Sequence, residues 1–333
     1  MRILIRSVNW LGDAVLTLPT IRGLKQLYPD ASLSVLAKPF LESLFRMVPE
    51  VDEVLRLEGG RLAISRELRR RRFDFALVLP NSFDSAFVPF LAGIPQRVGY
   101  RTDGRGVLLT RRIDREDGFE RRHQVYYYYR LLREIGKDLP AEPETTAPWI
   151  VPPDEGMKWA ESFLREGGYD GGPLVGINPG ATYGPAKCWF PERYVETANR
   201  LKAQGTQIVF FGGPGEADYV AEIGRKVPGS INAAGKTDLV QLAALLKKCR
   251  MLLTNDTGPM HLSAAVGTPV VALFGSTNPV TTGPFGEGHR IIRHAVECSP
   301  CLLRVCNRNM ECFRAVEVDE VVGEILSRLK TSG

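Results

Sequence analysis

A chain of 333 residues has room for two domains at roughly 100–200 residues each, and either half can bury a core of its own. Its 44% apolar and 24% charged residues are ordinary values for a folded soluble protein, which excludes disordered, collagenous and coiled-coil chains. The net charge of +5 lies wholly in the first 150 residues, where 24 Lys and Arg face 19 Asp and Glu; the remainder carries 19 of each.

The opening MRILIRSV reads as a buried strand. It lacks the long apolar core and small-residue cleavage site of a signal peptide, and no apolar run approaches the ~20 residues that span a bilayer. The expectation is a cytoplasmic protein without a transmembrane segment. A turn at Asn9–Asp13 leads into a helix from Ala14 to about Leu27, with Val15, Leu18, Ile21 and Leu24 at three-residue spacing. Strands at Leu33–Ala37, Val51–Leu57, Phe75–Pro80 and Arg97–Tyr100 follow, alternating with helices near Phe40–Met47, Leu62–Arg71 and Ser85–Ala92. Continuous apolar strands separated by helices imply a parallel sheet covered on both faces. The run Arg69–Arg72 suits phosphate, a lipid headgroup or nucleic acid, although such runs are more often a solvated helix end.

An amphipathic helix over about Glu120–Ile135 precedes Pro140, Pro143, Pro148, Pro152 and Pro153, a composition that stops helix and strand alike. The boundary is therefore placed near 143–153, giving domains 1–150 and 151–333. The alternation then restarts, with strands at Pro173–Gly180, Thr206–Gly213, Ile231–Gly235, Met251–Asp256, Pro269–Gly275 and Arg290–Arg293. Helices are expected near Glu192–Gln204, Glu216–Arg225, Leu239–Lys247, from Met260, and near Val318–Leu329. The fold class is α/β, two Rossmann-like domains whose sheets face a cleft at their carboxyl ends.

Three loops of the second half end strands in small and polar residues: Asn178–Thr182, Gly212–Glu216 and Asn255–Gly258. Amides freed at a helix N-terminus bind phosphate oxygens. One such loop is explained by tight turns alone; three in one domain point to a nucleotide. No G-x-x-x-x-G-K-[ST] occurs and no G-x-G-x-x-G follows the first strand, which disfavours kinase-like and dehydrogenase readings. His261 stands within a turn of the Asp256-Thr257-Gly258 loop, and Lys187 can neutralise a diphosphate as a point charge. Asp13 sits where the first loop enters its helix, either as a cap or as a general base for an acceptor hydroxyl. Cys298, Cys301, Cys306 and Cys312 crowd into fifteen residues. They are read as a structural zinc site, as reduced cysteines or, least in keeping with a reducing compartment, as disulfides. In each case the expected role is a clip near the C-terminus that takes no part in transfer.

Taken together, these motifs form a set. Asn9-Trp10-Leu11-Gly12-Asp13, Leu79–Phe83 with Gly93–Arg97, Pro179-Gly180-Ala181 through Lys187-Cys188-Trp189, and Thr254–Gly258 through His261 resemble the ADP-heptose:lipopolysaccharide heptosyltransferases, most like the heptosyltransferase II branch. The resemblance spans nearly the whole chain. It implies a GT-B glycosyltransferase, with the acceptor on the N-terminal domain and ADP-heptose on the C-terminal one. The implied reaction is inverting transfer of L-glycero-D-manno-heptose to the first heptose of the inner core on Kdo-lipid A. In that family's pattern Asp13 is the catalytic base, with Lys187 and His261 acting on the departing diphosphate. Thr182, Lys187, Asp256, Thr257, Gly258 and His261 hold diphosphate and sugar, and Glu216 holds the adenosine ribose.

Cys188 and Phe190 stand where the family often has Arg and Pro, which leaves a second cationic contact without a residue. With no D-x-D after a strand, no catalytic metal or other cofactor is expected. A basic first domain suits peripheral docking to an acidic glycolipid at the inner membrane surface. The competing readings are another nucleotide-sugar enzyme, such as a heptosyltransferase I or an epimerase, and, more distantly, a zinc-dependent nucleic-acid-binding protein.

Overall fold

The computed structural model describes residues 1–136 and 139–331. It divides into two units, Met1–Thr145 with Trp149–Val151, and Thr146–Pro148 with Pro152–Gly333. The first unit is built on β1 (Arg2–Arg6), β2 (Ser32–Ala37), β3 (Glu53–Arg56), β4 (Phe75–Val78), β5 (Gln96–Tyr100) and β6 (Arg111–Ile113). They form one parallel sheet in the order β3-β2-β1-β4-β5-β6. The second unit repeats the plan with β7 (Leu174–Asn178), β8 (Gln207–Phe210), β9 (Ile231–Asn232), β10 (Met251–Asn255), β11 (Val270–Leu273) and β12 (Arg290–Ile292), ordered β12-β11-β10-β7-β8-β9.

In each sheet the first three strands wind one way and the fourth returns to the far side of the first. The chain therefore reverses between β1 and β4, and again between β7 and β10. Loops diverge at such a switch point and leave a crevice outside the carboxyl ends of the strands. Register puts those ends level, Arg6 beside Val78 and Asn178 beside Thr254. Every residue of β4, β7, β10 and β11 is buried, the signature of strands covered on both faces. Helices of the second unit complete a core in which Trp189, Tyr194, Phe210 and Phe313 are buried together.

The expected elements recur with differences that have local causes. The helix expected over Ala14–Leu27 is two helices, Leu11–Leu16 and Leu18–Leu27. Pro19 has no N–H to offer the preceding turn, and the Thr17 hydroxyl instead donates to the Ala14 carbonyl at 2.6 Å. The first sheet does not close at Tyr100, because β6 pairs outside β5; two of its three residues are exposed arginines, so it carries no apolar run to read. The helix Asp154–Glu166 also went unread, although Asp154 and Glu155 directly after Pro153 suit a first turn. The basic run ends the helix Arg61–Arg71, where Arg71 pairs with Glu67 and Glu53 and Arg69 donates to the Leu91 carbonyl. That is the helix-end reading, with cations on the negative end of the helix dipole.

Candidate active site

Neighbouring strands β10, β7 and β8 bring the three small-residue loops of the second unit side by side. Asn255, the last residue of β10 and fully buried, ties them together. Its side-chain N–H groups donate to the Pro179 carbonyl at 2.9 Å and the Gly180 carbonyl at 3.4 Å. Its oxygen accepts from the Tyr194 hydroxyl at 2.7 Å and the Trp189 amide at 3.3 Å. Complete burial pushes the Tyr194 phenol well above its ordinary value, so it stays protonated and is the donor. On the other side of the β7 loop the Glu216 carboxylate accepts from the Gly213 amide at 2.8 Å and lies so close over Gly180 that a Cβ there would collide with it. Glu216 is thereby held at the end of β8 and half exposed.

Beyond Asn255 the chain turns through Asp256 and Thr257 into the helix Gly258–Ala265. Thr257 is the N-cap, yet its side chain makes no capping bond to the helix, and Pro259 contributes no amide. The amides of Gly258 and Met260 precede the first intrahelical bond, which makes this end receptive to an oxyanion. The Lys187 ammonium lies 2.7 Å from the Asp256 carboxylate and 3.3 Å from the Asp256 carbonyl, with both side chains largely buried. Of the expected donor residues the structure therefore joins Lys187 to Asp256, and places Thr257, Gly258 and His261 on the same strand-to-helix turn. Thr182 is exposed in the β7 loop. The pairing qualifies the expectation for Lys187, whose charge is balanced by Asp256 rather than standing alone. Burial raises the Cys188 thiol to about 11, so it is neutral near pH 7 and offers no charge of its own.

Asp13 belongs to the first unit. It lies in the first turn of Leu11–Leu16, directly after the β1 loop, and Trp10 rather than Asp13 is the N-cap. Its carboxylate acts on Tyr128, whose phenol is pushed up first by burial and then by Asp13, and which accepts from Gln124 at 2.9 Å. Asp13 thus stands in the first turn after β1, its charge acting on a phenol that stays protonated.

Of the readings given for the cysteine-rich stretch, the structure matches reduced cysteines: all six are free thiols, and among the described residues no three His, Cys, Asp or Glu side chains converge as metal ligands. Cys312 is packed into the core, where burial raises its thiol, while the Cys306 sulfur accepts from the Arg308 amide at 3.3 Å. The stretch is also not remote from the candidate site. The Ala186 amide donates to the Arg304 carbonyl at 3.1 Å, and the Tyr183 hydroxyl donates to the Leu302 carbonyl at 2.9 Å. Asn255 as a tie and this brace on the Lys187 loop escaped the sequence reading. A polar residue closing the apolar run MLLT was the one available signal for the former.

Comparison with known proteins shows the family and the fold. The profile of glycosyltransferase family 9 (heptosyltransferase) matches residues 61–310. Lipopolysaccharide heptosyltransferase 2 of Salmonella typhimurium is 34% identical over 314 residues, covering 88% of each chain, and the Escherichia coli K12 protein of the same name matches to the same extent. The solved structure of the E. coli ADP-heptose lps heptosyltransferase II superposes with a TM-score of 0.86 at 30% identity, over 100% of this chain and 99% of that one. A family 9 glycosyl transferase from Veillonella parvula shares the fold, with a TM-score of 0.88 at 24% identity over 99% and 97% of the two chains.

Proposed function

Because this chain belongs to glycosyltransferase family 9, the heptosyltransferases, we propose that it moves L-glycero-D-manno-heptose from ADP-heptose to the first heptose of the lipopolysaccharide inner core, with inversion. The observation that carries this reading is the Lys187–Asp256 pair at the head of Gly258–Ala265, inside the span that the family profile matches.

In this reading Asp13 takes the proton of an acceptor hydroxyl as that oxygen attacks the anomeric carbon from the face opposite the diphosphate. The bond from the anomeric carbon to the β-phosphate oxygen breaks, and its electron pair leaves with ADP. Lys187, His261 and the amides at the start of Gly258–Ala265 answer the charge that grows on the diphosphate. Fixed groups of this kind are worth more in the transition state than in the ground state. Thr182, Asp256 and Thr257 hold the diphosphate and sugar, and Glu216 takes the adenosine ribose. Protein groups thus carry the leaving-group chemistry, and no cofactor enters the scheme. Among the described residues no helix is long and apolar enough to cross a membrane; we assign the basic first unit to docking on an anionic acceptor at the inner membrane surface.

The test is to incubate the protein with ADP-heptose and core acceptors bearing zero, one or two heptoses, and to weigh the products. A gain of one heptose on the one-heptose acceptor alone is expected. A gain on the acceptor without heptose would move the assignment to the first transfer, and transfer from another nucleotide sugar alone would overturn it.

A further inference from the structure

The donor site described above answers the charge of a diphosphate only in part. Lys187 is bound by Asp256, so the pair adds no net charge, and Cys188 beside it is neutral. A second cation nonetheless reaches the same loop from a distant part of the chain. Residues 302–304 run along Tyr183–Ala186 through the two hydrogen bonds given above, and the approach is so close that a Cβ on Gly184 would lie 2.5 Å from the Arg304 carbonyl oxygen and 3.2 Å from its Cα. Gly184 is what permits the contact.

This packing sets the Arg304 guanidinium 5.0 Å from the centre of the Tyr183 ring, and Lys187 Nζ lies 4.9 Å from the same centre. The two cations are consequently no more than about 10 Å apart. Arg304 is exposed and forms no ion pair among the described residues, whereas nearby Arg308 is held by Glu297 at 2.9 Å. An arginine held over an aromatic face by its chain, with its donor fork uncommitted, is equipped to bind phosphate oxygens in a bidentate manner.

We infer that Arg304 is the second phosphate-binding cation of the donor site, closing with Lys187 on the diphosphate of the nucleotide sugar. Tyr183 is the platform that holds both. As the bond from the anomeric carbon to the β-phosphate oxygen breaks and the electron pair passes to the departing ADP, Arg304 meets charge that the Lys187–Asp256 pair leaves unbalanced. The cysteine-rich stretch then has a task in this chain, that of delivering an arginine to the Lys187 loop. The inference rests on the donor-site reading above and adds a residue to it.

The test uses the full chain and compares wild type with Arg304→Ala, Arg304→Lys and Lys187→Ala, measuring the affinities of ADP and of adenosine together with kcat for ADP-heptose. Arg304→Ala is expected to weaken ADP by roughly tenfold or more, the size of a lost charge-assisted contact. Adenosine affinity should stay within about twofold, since no phosphate is present to lose its partner, and Arg304→Lys should recover most of the loss. Equal weakening of ADP and adenosine would show that Arg304 only braces the loop, and would overturn the inference. If Lys187→Ala weakens ADP while Arg304→Ala does not, the inference fails and the donor-site reading stands. If neither substitution touches ADP, the reading of this loop as a diphosphate site fails as well.

Discussion

The two sheets share one strand order, yet the loops at their carboxyl ends are held in opposite ways. In the first unit buried arginines do the tying. Arg6 donates to the Ser7 carbonyl and to Asn9 at 3.4 Å, and Arg105, fully buried, donates to the carbonyls of Pro80 and Tyr100 and to the Ser85 hydroxyl at 2.8 Å. Burial lowers both guanidiniums to about 10, which still leaves them charged at neutral pH. In the second unit a neutral amide, Asn255, holds the corresponding loops, and the cations stand at the rim instead. What each edge leaves exposed differs accordingly. The first presents broad aromatic faces, Trp10 at 72% and Phe83 at 41% exposure, suited to the apolar face of a sugar. The second presents helix-start amides and the exposed Arg304, suited to phosphate, with Lys187 largely buried against Asp256. In the proposed reading one winding serves two binding chemistries, and the loops decide which.

The largest way to break that comparison is at Asp13. Asp13→Ala should lower turnover by roughly 10²–10⁴-fold, the usual range for a lost general base, with ADP affinity unchanged because the donor groups lie in the other unit. Turnover within about threefold of wild type would reduce Asp13 to a first-turn carboxylate and send the search for the base elsewhere. On the second edge, Lys187→Ala and His261→Ala should each lower kcat by roughly 10–10²-fold and raise the ADP-heptose KM by less, since their contacts strengthen as charge builds on the leaving group. A raised KM with an unchanged kcat would mean that they bind donor and transition state alike.

How far this division was legible in the sequence depends on whether the signal is local. The parallel sheets were readable because FALV and LVGI are unbroken apolar runs, and the turn Asp256–Gly258 because a strand end, small residues and a helix start are adjacent in the chain. Lys187 and Asp256 were offered by the sequence as two separate candidates; their union spans 69 positions and no local pattern encodes it. The same holds for Arg304, whose carbonyl meets Ala186 across more than a hundred residues. The cysteines attracted a metal reading through spacing alone, yet spacing says nothing of direction. Cys312 turns into the core and Cys306 toward its own backbone.

Asn255 gives a smaller and more structural test. Asn255→Ala would leave the buried Tyr194 hydroxyl and the Trp189 amide without their acceptor, at a cost of about 1–3 kcal/mol, and would loosen the Pro179–Gly180 loop. The melting temperature of the second unit should fall, and ADP should bind more weakly. Asn255→Asp keeps the acceptor for Tyr194 but loses the donors to the loop carbonyls. It also sets a buried carboxyl against the Pro179 and Gly180 carbonyl oxygens, so it should cost at least as much stability as Asn255→Ala. If both variants melt like wild type, the amide is not what ties the second edge.

The smallest expected effect is a pH dependence carried by the second unit. His289, just before β12, has its pKa lowered from 6.5 to about 4, mainly by burial and in smaller part by the charge of Arg328. Between those two values the unfolded chain binds a proton that the folded one refuses, so protonation favours unfolding and stability falls as the pH drops. The contribution is fully present above about 6.5 and is lost progressively toward about 4. Between roughly pH 7 and pH 5 that amounts to something on the order of 1–2 kcal/mol. His289→Asn has no proton to refuse in that window, so its melting temperature should decline less than that of wild type between these two pH values. Parallel declines would show that the acid sensitivity arises from other groups and that His289 titrates as it does in the unfolded chain.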